Sequence, residues 1–167
     1  MVFDQKSIPK SLRDSKKTTP RVRDYLFEII CNEAIDFGIA SATASQIDQF
    51  NILQATFIAM RAAINKVQSP YQCVFIDGNQ SPRILDSVEV VRGDTFIPEI
   101  QAASILAKVC RDNYMKKLHE KYPRYGFKSH FGYPTHQHLE MLRKWGPIEE
   151  HRQSFKPVAL VCHSKPK

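Results

Sequence analysis

The stretch YQCVFID at 71–77 constrains the fold of this chain more than any other feature. It is a short apolar run rich in aromatic and β-branched residues, and the pair Gly78-Asn79 ends it. This length and composition favour a buried central strand over a helix. The strand ends in Asp77, so it predicts a carboxylate at the carboxyl end of a sheet, where the chemistry of open α/β sheets collects.

The segments around this strand alternate between strand-like and helix-like patterns. VEVV at 88–91 and residues 35–42 predict two further short strands. The predicted helices run from Pro20 to about Asn32, through the stretch after Ser45, from Pro98 to about Tyr122, and from a Thr135 cap to Trp145. The alternation predicts an α/β domain with a largely parallel sheet. We expect one domain over 1–155 and a C-terminal tail at 156–167.

The composition narrows the possible partners and compartment. A net charge of +7 over 167 residues favours an acidic partner, with nucleic acid as the first candidate. The four cysteines are widely separated and form no CxxC pair, which favours a reducing, cytoplasmic compartment. No apolar run reaches the length of a membrane helix and the N-terminus has no signal-peptide pattern, so we expect a protein without a membrane partner. We also expect a monomer.

Two carboxylates are candidate site residues, and each has a simpler alternative. Asp77 either starts an Asp-Gly-Asn turn or binds a metal or cation, and spacing alone favours the turn. Asp112 lies on the predicted helix from Pro98, opposite the main apolar stripe. It either forms a surface ion pair with Lys108 at i, i+4 or belongs to a site, and spacing alone favours the ion pair. The histidines show no convincing metal spacing, since His136 and His138 point to different helix faces.

Seven stretches follow one another in the order found in one known family and span nearly the whole chain. They are LRDSKK (12–17), NILQATFIAM (51–60), FIDGN (75–79), IQAASILAKVCRD (100–112), YPRYGF (122–127), HFGYPT (130–135) and HRQSFKPV (151–158). In these stretches the chain resembles bacterial ribonuclease HII, the type 2 ribonuclease H. Together the motifs are highly specific, although DSKK or IDG alone would be weak.

The resemblance implies a ribonuclease H-like mixed sheet with flanking helices and a helical C-terminal part. It implies an endonuclease that hydrolyses the RNA strand of RNA–DNA hybrids and incises duplex DNA at embedded ribonucleotides. The implied mechanism is two-metal-ion phosphodiester hydrolysis with Mn²⁺ or Mg²⁺, which prefer hard oxygen ligands. By the same resemblance, Asp77 and Asp112 are catalytic metal ligands, Tyr133 stacks on the sugar at the DNA-to-RNA junction, and Ser15, Lys16 and Lys17 bind the substrate.

The chain departs from the family pattern at its N-terminal end. It contains neither the adjacent Asp-Glu pair nor the Gly-Arg-Gly turn that supplies two of the family's four carboxylates and part of its 2′-hydroxyl sensor. We therefore expect the first strand to be missing and the chain to be N-terminally truncated. Three explanations stay open: a truncated product or misplaced start, a fragment that needs its missing piece, or a catalytically impaired chain that only binds nucleic acid. Phe131 and Pro134 also replace the family's usual Lys and Gly.

Overall fold

The computed structural model describes residues 1–4, 8–9, 12 and 19–163. Helices dominate these residues, and a small parallel sheet lies between the second and third helices in chain order. The order is α1 (Pro20–Glu33), α2 (Ala44–Ile64), β1 (Val74–Asp77), β2 (Ser87–Val90), α3 (Pro98–Lys121), α4 (Phe127–His130), α5 (His136–Trp145) and α6 (Lys156–His163), with 3₁₀ turns at Gly93–Thr95 and Pro123–Tyr125. The predicted α/β class is confirmed.

The sheet pairs β1 with β2 in parallel, and Asp77 lies opposite Val90 at the last position of the ladder. The backbone N–H of Gly78 then donates to the Val90 carbonyl at 3.1 Å. Gly78 has a φ of +125°, in the region that favours glycine, so the chain turns directly after the carboxylate. The strand and its end therefore lie where the apolar run and its Asp-Gly-Asn ending predicted them.

Local end signals placed most of the helices correctly. α1 begins at Pro20, and the Thr19 hydroxyl caps it by accepting from the Val22 backbone N–H at 3.4 Å. α5 begins after Thr135, whose hydroxyl accepts from the His138 backbone N–H at 3.3 Å. α3 runs without interruption from Pro98. These signals are specific because the N-cap threonine hydroxyl accepts from an unpaired N–H of the first turn, whereas proline has no N–H to leave unpaired there.

Two local expectations differ from the structure. The strand predicted at 35–42 is wrong as a regular strand: among the described residues it is reduced to one antiparallel bridge between Val2 and Asp36. The stretch Lys156–His163, which we expected to be an irregular tail, is helix α6, and its Val158 side chain is buried. Pro157 in the first turn was the available signal for that helix.

The structure divides into two compact units. The first comprises Met1–Ser41 and Thr56–Val109, and contains both strands. Its core joins side chains of α1 to the first half of α3, which contributes four of the buried residues within about two helical turns. The buried members of this core are Leu12, Leu26, Ile30, Ala102, Ile105, Leu106 and Val109. One side of the first half of α3 is thus buried, whereas Ala103 and Ala107 on this half are exposed.

The second unit comprises Ala42–Ala55 and Cys110–Lys167. Its core is aromatic, with buried residues Met115, Leu118, Tyr125 and Phe127. The Tyr125 hydroxyl donates to the Gly146 carbonyl at 2.6 Å, which ties the loop after α3 to the end of α5. In the same unit the Asp48 carboxylate accepts from the backbone N–H groups of Gln153 and Ser154, each at 2.8 Å.

Helix α2 is kinked at Asn51, whose backbone has a φ of +69° and a ψ of 168°. The Asn51 side chain accepts from the Gln54 backbone N–H at 3.1 Å, so it caps the segment that follows the kink. No helix formed by the described residues has both the length and the apolar character required to cross a membrane.

Truncation of Leu26 to alanine should destabilise the protein by about 2–5 kcal/mol, because Leu26 is 2% exposed in the core of the first unit and its loss leaves a cavity. Val22→Ala on the same helix, at a side chain that is 42% exposed, should cost well under half as much. Urea unfolding monitored by circular dichroism measures both changes. Equal losses in the two variants would contradict the assignment of Leu26 to the core.

Candidate functional site

Asp77 ends β1 with an exposed side chain. Its Oδ1 accepts a long hydrogen bond, 3.5 Å, from the backbone N–H of Asp94 in the 3₁₀ turn that follows β2. That partner lies on a different segment from the Asp-Gly-Asn turn. Beside the carboxylate, a Cβ built on Gly78 would meet none of the described atoms within 4 Å. Asp77 therefore combines a weak hydrogen bond with open space, which suits a carboxylate that binds a ligand.

Asp112 lies on α3 and is half-buried. The neighbouring Arg111 guanidinium lies 5.9 Å from the centre of the Tyr114 ring. Burial, together with the hydrogen bond from Tyr114 to Glu150, raises the pKa of the Tyr114 hydroxyl to about 12. The Tyr114 hydroxyl therefore stays protonated at neutral pH. The ion pair with Lys108 stays an alternative.

The two carboxylates belong to different units, Asp77 to the first and Asp112 to the second. Over the described ranges, no group of three or more histidine, cysteine, aspartate or glutamate side chains is arranged to hold a metal ion. Either carboxylate alone has the chemistry to form part of a Mg²⁺ shell, because Mg²⁺ is commonly bound by one or two carboxylates together with waters and substrate phosphates. Joint metal binding by Asp77 and Asp112 stays a prediction.

Tyr133 has an exposed ring on a backbone that is firmly held. The side chain is 62% exposed, and the peptide accepts and donates several hydrogen bonds. Its N–H donates to the His130 carbonyl at 2.8 Å, and its carbonyl accepts from the Thr135 N–H at 2.8 Å and contacts His138 Nδ1 at 3.0 Å. An exposed aromatic ring on an ordered peptide is suited to stacking against a ligand.

Gly132 makes this loop possible. It has a φ of +83°, and a Cβ placed there would lie 3.2 Å from Arg111 Nη2 and 3.2 Å from the Met115 side chain. A larger residue would therefore be strained by its backbone and would displace its neighbours. The predicted substrate residues Ser15, Lys16 and Lys17 lie outside the described residues, so their role stays a prediction.

Sequence reasoning missed a group of buried histidines next to Tyr133. His130, His138 and His151, which we call the histidine cluster, are 5%, 7% and 7% exposed. The rings of His130 and His138 stack with centroids 4.3 Å apart, and His138 Nε2 lies 3.2 Å from His151 Nε2. Phe127 packs edge-on against His130 and His138. The only sequence signal was that His130 and His151 fall within the family motifs and that His138 lies three residues after one.

The environment of His138 and His151 favours the neutral form of these two rings. Burial lowers the pKa of His138, and the neighbouring His130 acts in the same direction. Burial also lowers the pKa of His151 to about 4, with the positive potential of His138 and Arg152 adding to the effect. A neutral imidazole has one donor and one acceptor nitrogen, so each ring can join two specific partners.

The fold is similar to that of a type 2 ribonuclease H. The structure matches the crystal structure of ribonuclease H2 from Pyrococcus horikoshii OT3 with a TM-score of 0.79, covering 95% of this chain and 85% of that chain at 22% identity. At that identity the likeness establishes the fold, which confirms the predicted class.

Sequence comparison identifies the family. The ribonuclease HII family model matches residues 5–158. Ribonuclease HII of Polaromonas sp. strain JS666 is 46% identical over 162 residues, covering 96% of this chain and 81% of that protein. Ribonuclease HII of Hydrogenovibrio crunogenus is 49% identical over 151 residues, covering 90% and 73%. The chain belongs to the ribonuclease HII family, as the motifs indicated.

The histidine cluster predicts a specific acid sensitivity of folding. Above about pH 6.5 His151 is neutral in both the folded and unfolded states, so the full stability is present. As the pH falls, the unfolded chain binds a proton at the usual imidazole pKa while the folded chain resists until about pH 4, so stability is lost across that window. Each unit by which the pKa of His151 differs between the unfolded and folded states is equivalent to about 1.4 kcal/mol of stability.

Urea unfolding at pH 7.5, 6.0 and 5.0 measures this loss. His151→Asn retains an acceptor near the position of Nδ1 but does not titrate, so its stability should fall less steeply with pH than that of the unmodified protein. His136→Gln on the exposed surface of α5 is the matched control and should leave the pH dependence unchanged. Parallel pH curves for His151→Asn and the unmodified protein would contradict the prediction.

Proposed function

We propose that this chain hydrolyses the RNA strand of RNA–DNA hybrids and incises duplex DNA at embedded ribonucleotides. The observation that carries the proposal is the ribonuclease HII family match over 5–158. It is supported by the exposed Asp77 carboxylate at the carboxyl end of β1. Such strand ends are where open α/β sheets bind and transform their ligands.

In this proposal Asp77 and Asp112 hold the divalent cation. Both offer carboxylate oxygens, the ligands that Mn²⁺ and Mg²⁺ prefer. When bound, such a cation supplies Lewis-acid chemistry at the scissile phosphodiester. The Asp77 and Asp112 carboxylates would hold the cation and balance part of its positive charge. The second ion implied by the family mechanism belongs to the same proposal.

Substrate recognition is assigned to the Tyr133 ring and to basic residues. The ring, on its held peptide, would stack on the sugar at the DNA-to-RNA junction, where the 2′-hydroxyl distinguishes RNA from DNA. Ser15, Lys16 and Lys17 would contact phosphates, which position a duplex without reading its sequence. The net charge of +7 favours such contacts and makes binding weaken as salt rises.

The second candidate function is binding of a hybrid or duplex without cleavage. Two observations favour it. The sequence contains no Asp-Glu pair and no Gly-Arg-Gly turn. The described residues form no group of three side chains arranged to hold a metal ion. The two candidate functions differ in whether a cut strand forms when a divalent metal ion is added. The binder would retain salt-sensitive affinity and yield no cut strand with Mn²⁺ or Mg²⁺.

The decisive experiment is incision of a labelled duplex that carries one ribonucleotide, with Mn²⁺ or Mg²⁺. It compares the chain with a chimera that bears the family's Asp-Glu-x-Gly-Arg-Gly segment ahead of residue 1. Asp77→Asn should lower the incision rate of the active form by about 100-fold or more, because removing a cation-binding carboxylate costs several kcal/mol of transition-state stabilisation.

Asp86→Asn is the matched control, since Asp86 is an exposed aspartate in the loop before β2. The same assay applies to Asp112→Asn. Its matched control is Glu120→Gln, at an exposed position of α3. Unchanged incision by Asp77→Asn would remove Asp77 from the site. Tight binding without incision in both the chain and the chimera would favour the binder.

Replacement of the Tyr133 ring should separate stacking from general phosphate contacts. Tyr133→Ala should weaken binding of the ribonucleotide duplex by roughly fivefold or more, the range expected for loss of one aromatic stacking contact. Tyr133→Phe retains the ring and should stay within about twofold. Fluorescence anisotropy with Ca²⁺ in place of the catalytic ion measures both. Equal weakening by the two variants would show that the hydroxyl, not the ring, makes the contact.

A further inference from the structure

The hydrogen bonds of the histidine cluster form an ordered chain that ends on Tyr133. The backbone N–H of Ile148 donates to His151 Nδ1 at 3.0 Å, so in a neutral ring the proton of His151 is on Nε2. That proton points to His138 Nε2 at 3.2 Å. His138 Nε2 must then accept, which places the proton of His138 on Nδ1, where it donates to the Tyr133 carbonyl at 3.0 Å.

A second, independent anchor holds the residue before Tyr133. The backbone N–H of Gly132 donates to His130 Nδ1 at 3.2 Å. His130 Nδ1 is therefore an acceptor, and its Nε2–H donates to the Tyr125 carbonyl at 2.8 Å. Both anchors lie within the second unit. They hold opposite ends of the Gly132–Tyr133 segment, one through an N–H and the other through a carbonyl.

We propose that His130 and His138 are positioning residues for Tyr133, and that His151 acts through His138 by selecting its tautomer. The two rings fix the Gly132–Tyr133 backbone, so the exposed ring projects in one direction towards the sugar of the substrate. This inference rests on the substrate contact proposed for Tyr133. It adds to the proposed site three residues that are distinct from the two carboxylates and that would act without touching the nucleic acid.

The polar chemistry of the cluster favours positioning over simple packing. Each of the six ring nitrogens faces a partner: two in other cluster rings and four in the backbone. Apolar side chains of similar size would fill the same space but would remove a hydrogen-bond partner from four backbone groups. The Tyr133 carbonyl would keep its bond from the Thr135 N–H, whereas a group that is left buried and unpaired costs about 1–3 kcal/mol. The lone pairs are also fully used, so the cluster has none to offer a metal.

The test compares two variants of one residue. His138→Asn places an amide N–H near the position of Nδ1 and retains the donor to the Tyr133 carbonyl, whereas His138→Leu removes it. Both lose the acceptor for His151, so they differ mainly in the bond to Tyr133. His136→Gln on the same helix is the control for any change on α5.

The first readout is the ratio of affinities for a duplex with one ribonucleotide and the same duplex made entirely of DNA. His138→Leu should lower this ratio about tenfold, and His138→Asn should stay within about threefold. Binding of the all-DNA duplex should change little in either variant. Because His138 acts through Tyr133, His138→Leu should have no further effect on the ratio in a Tyr133→Ala background. Equal loss in both variants, or additive loss in that background, would overturn the inference.

The second readout does not depend on substrate. Long-range ¹H–¹⁵N correlations of the imidazole rings should show protons on His130 Nε2, His138 Nδ1 and His151 Nε2. Amide exchange at Tyr133 should accelerate in His138→Leu and stay slow in His138→Asn. If the unmodified protein did not distinguish the two duplexes, the proposed role of Tyr133 would fail while these spectra still tested the anchor. A different set of tautomers would overturn the inference.

Discussion

Burial of α3 is the constraint on which the rest of the structure depends. In the first unit its residues Ala102, Ile105 and Leu106 are almost entirely excluded from solvent, and in the second unit Met115 and Leu118 are. Each buried aliphatic side chain contributes about 1.5–3 kcal/mol relative to exposure, so a helix buried this fully has little freedom to rotate. Asp112 is thereby held at one orientation on α3, whichever partner it uses.

The sequence predicted those elements whose ends are determined by local chemistry. Helix starts are marked by Pro20, Pro98 and Thr135, because the first turn of a helix has unpaired N–H groups. Proline has no N–H to leave unpaired, and threonine accepts from one. The Asp-Gly-Asn ending of β1 follows from turn preferences. The stretch 35–42 failed because a strand needs a partner, and apolar content alone does not supply one. Among the described residues that partner is a single bridge from Val2. Pairing is a tertiary property that a single segment does not encode.

The residues of the candidate site also fall into two groups, those that sequence motifs point to and those that only folding brings together. The resemblance to the family motifs predicted Asp77, Asp112 and Tyr133 as site residues, whereas spacing alone favoured a turn for Asp77 and an ion pair for Asp112. The histidine cluster was not predictable from spacing, because its members come from α4, α5 and the segment after α5 and share no period. Sequence reasoning tested the histidines as metal ligands, and the structure instead shows rings that bond one another and the backbone. Their role depends on which nitrogen carries the proton, which follows only from the partners that folding brings together.

The combination of an exposed ring and a buried anchor has a physical rationale for a protein that acts on duplexes. A loop tyrosine free to move would lose backbone and side-chain entropy on binding, about 1–2 kcal/mol for each residue that becomes ordered. The hydrogen bond that His130 accepts from Gly132 and the one that His138 donates to Tyr133 order the loop when the second unit folds, so this entropy cost is met before any ligand arrives. Neutral histidines suit this task better than charged groups, because a buried charge near the loop would repel or attract phosphates non-specifically. Selectivity for the sugar can then reside in the direction of one ring, while basic residues supply affinity that is the same for every sequence.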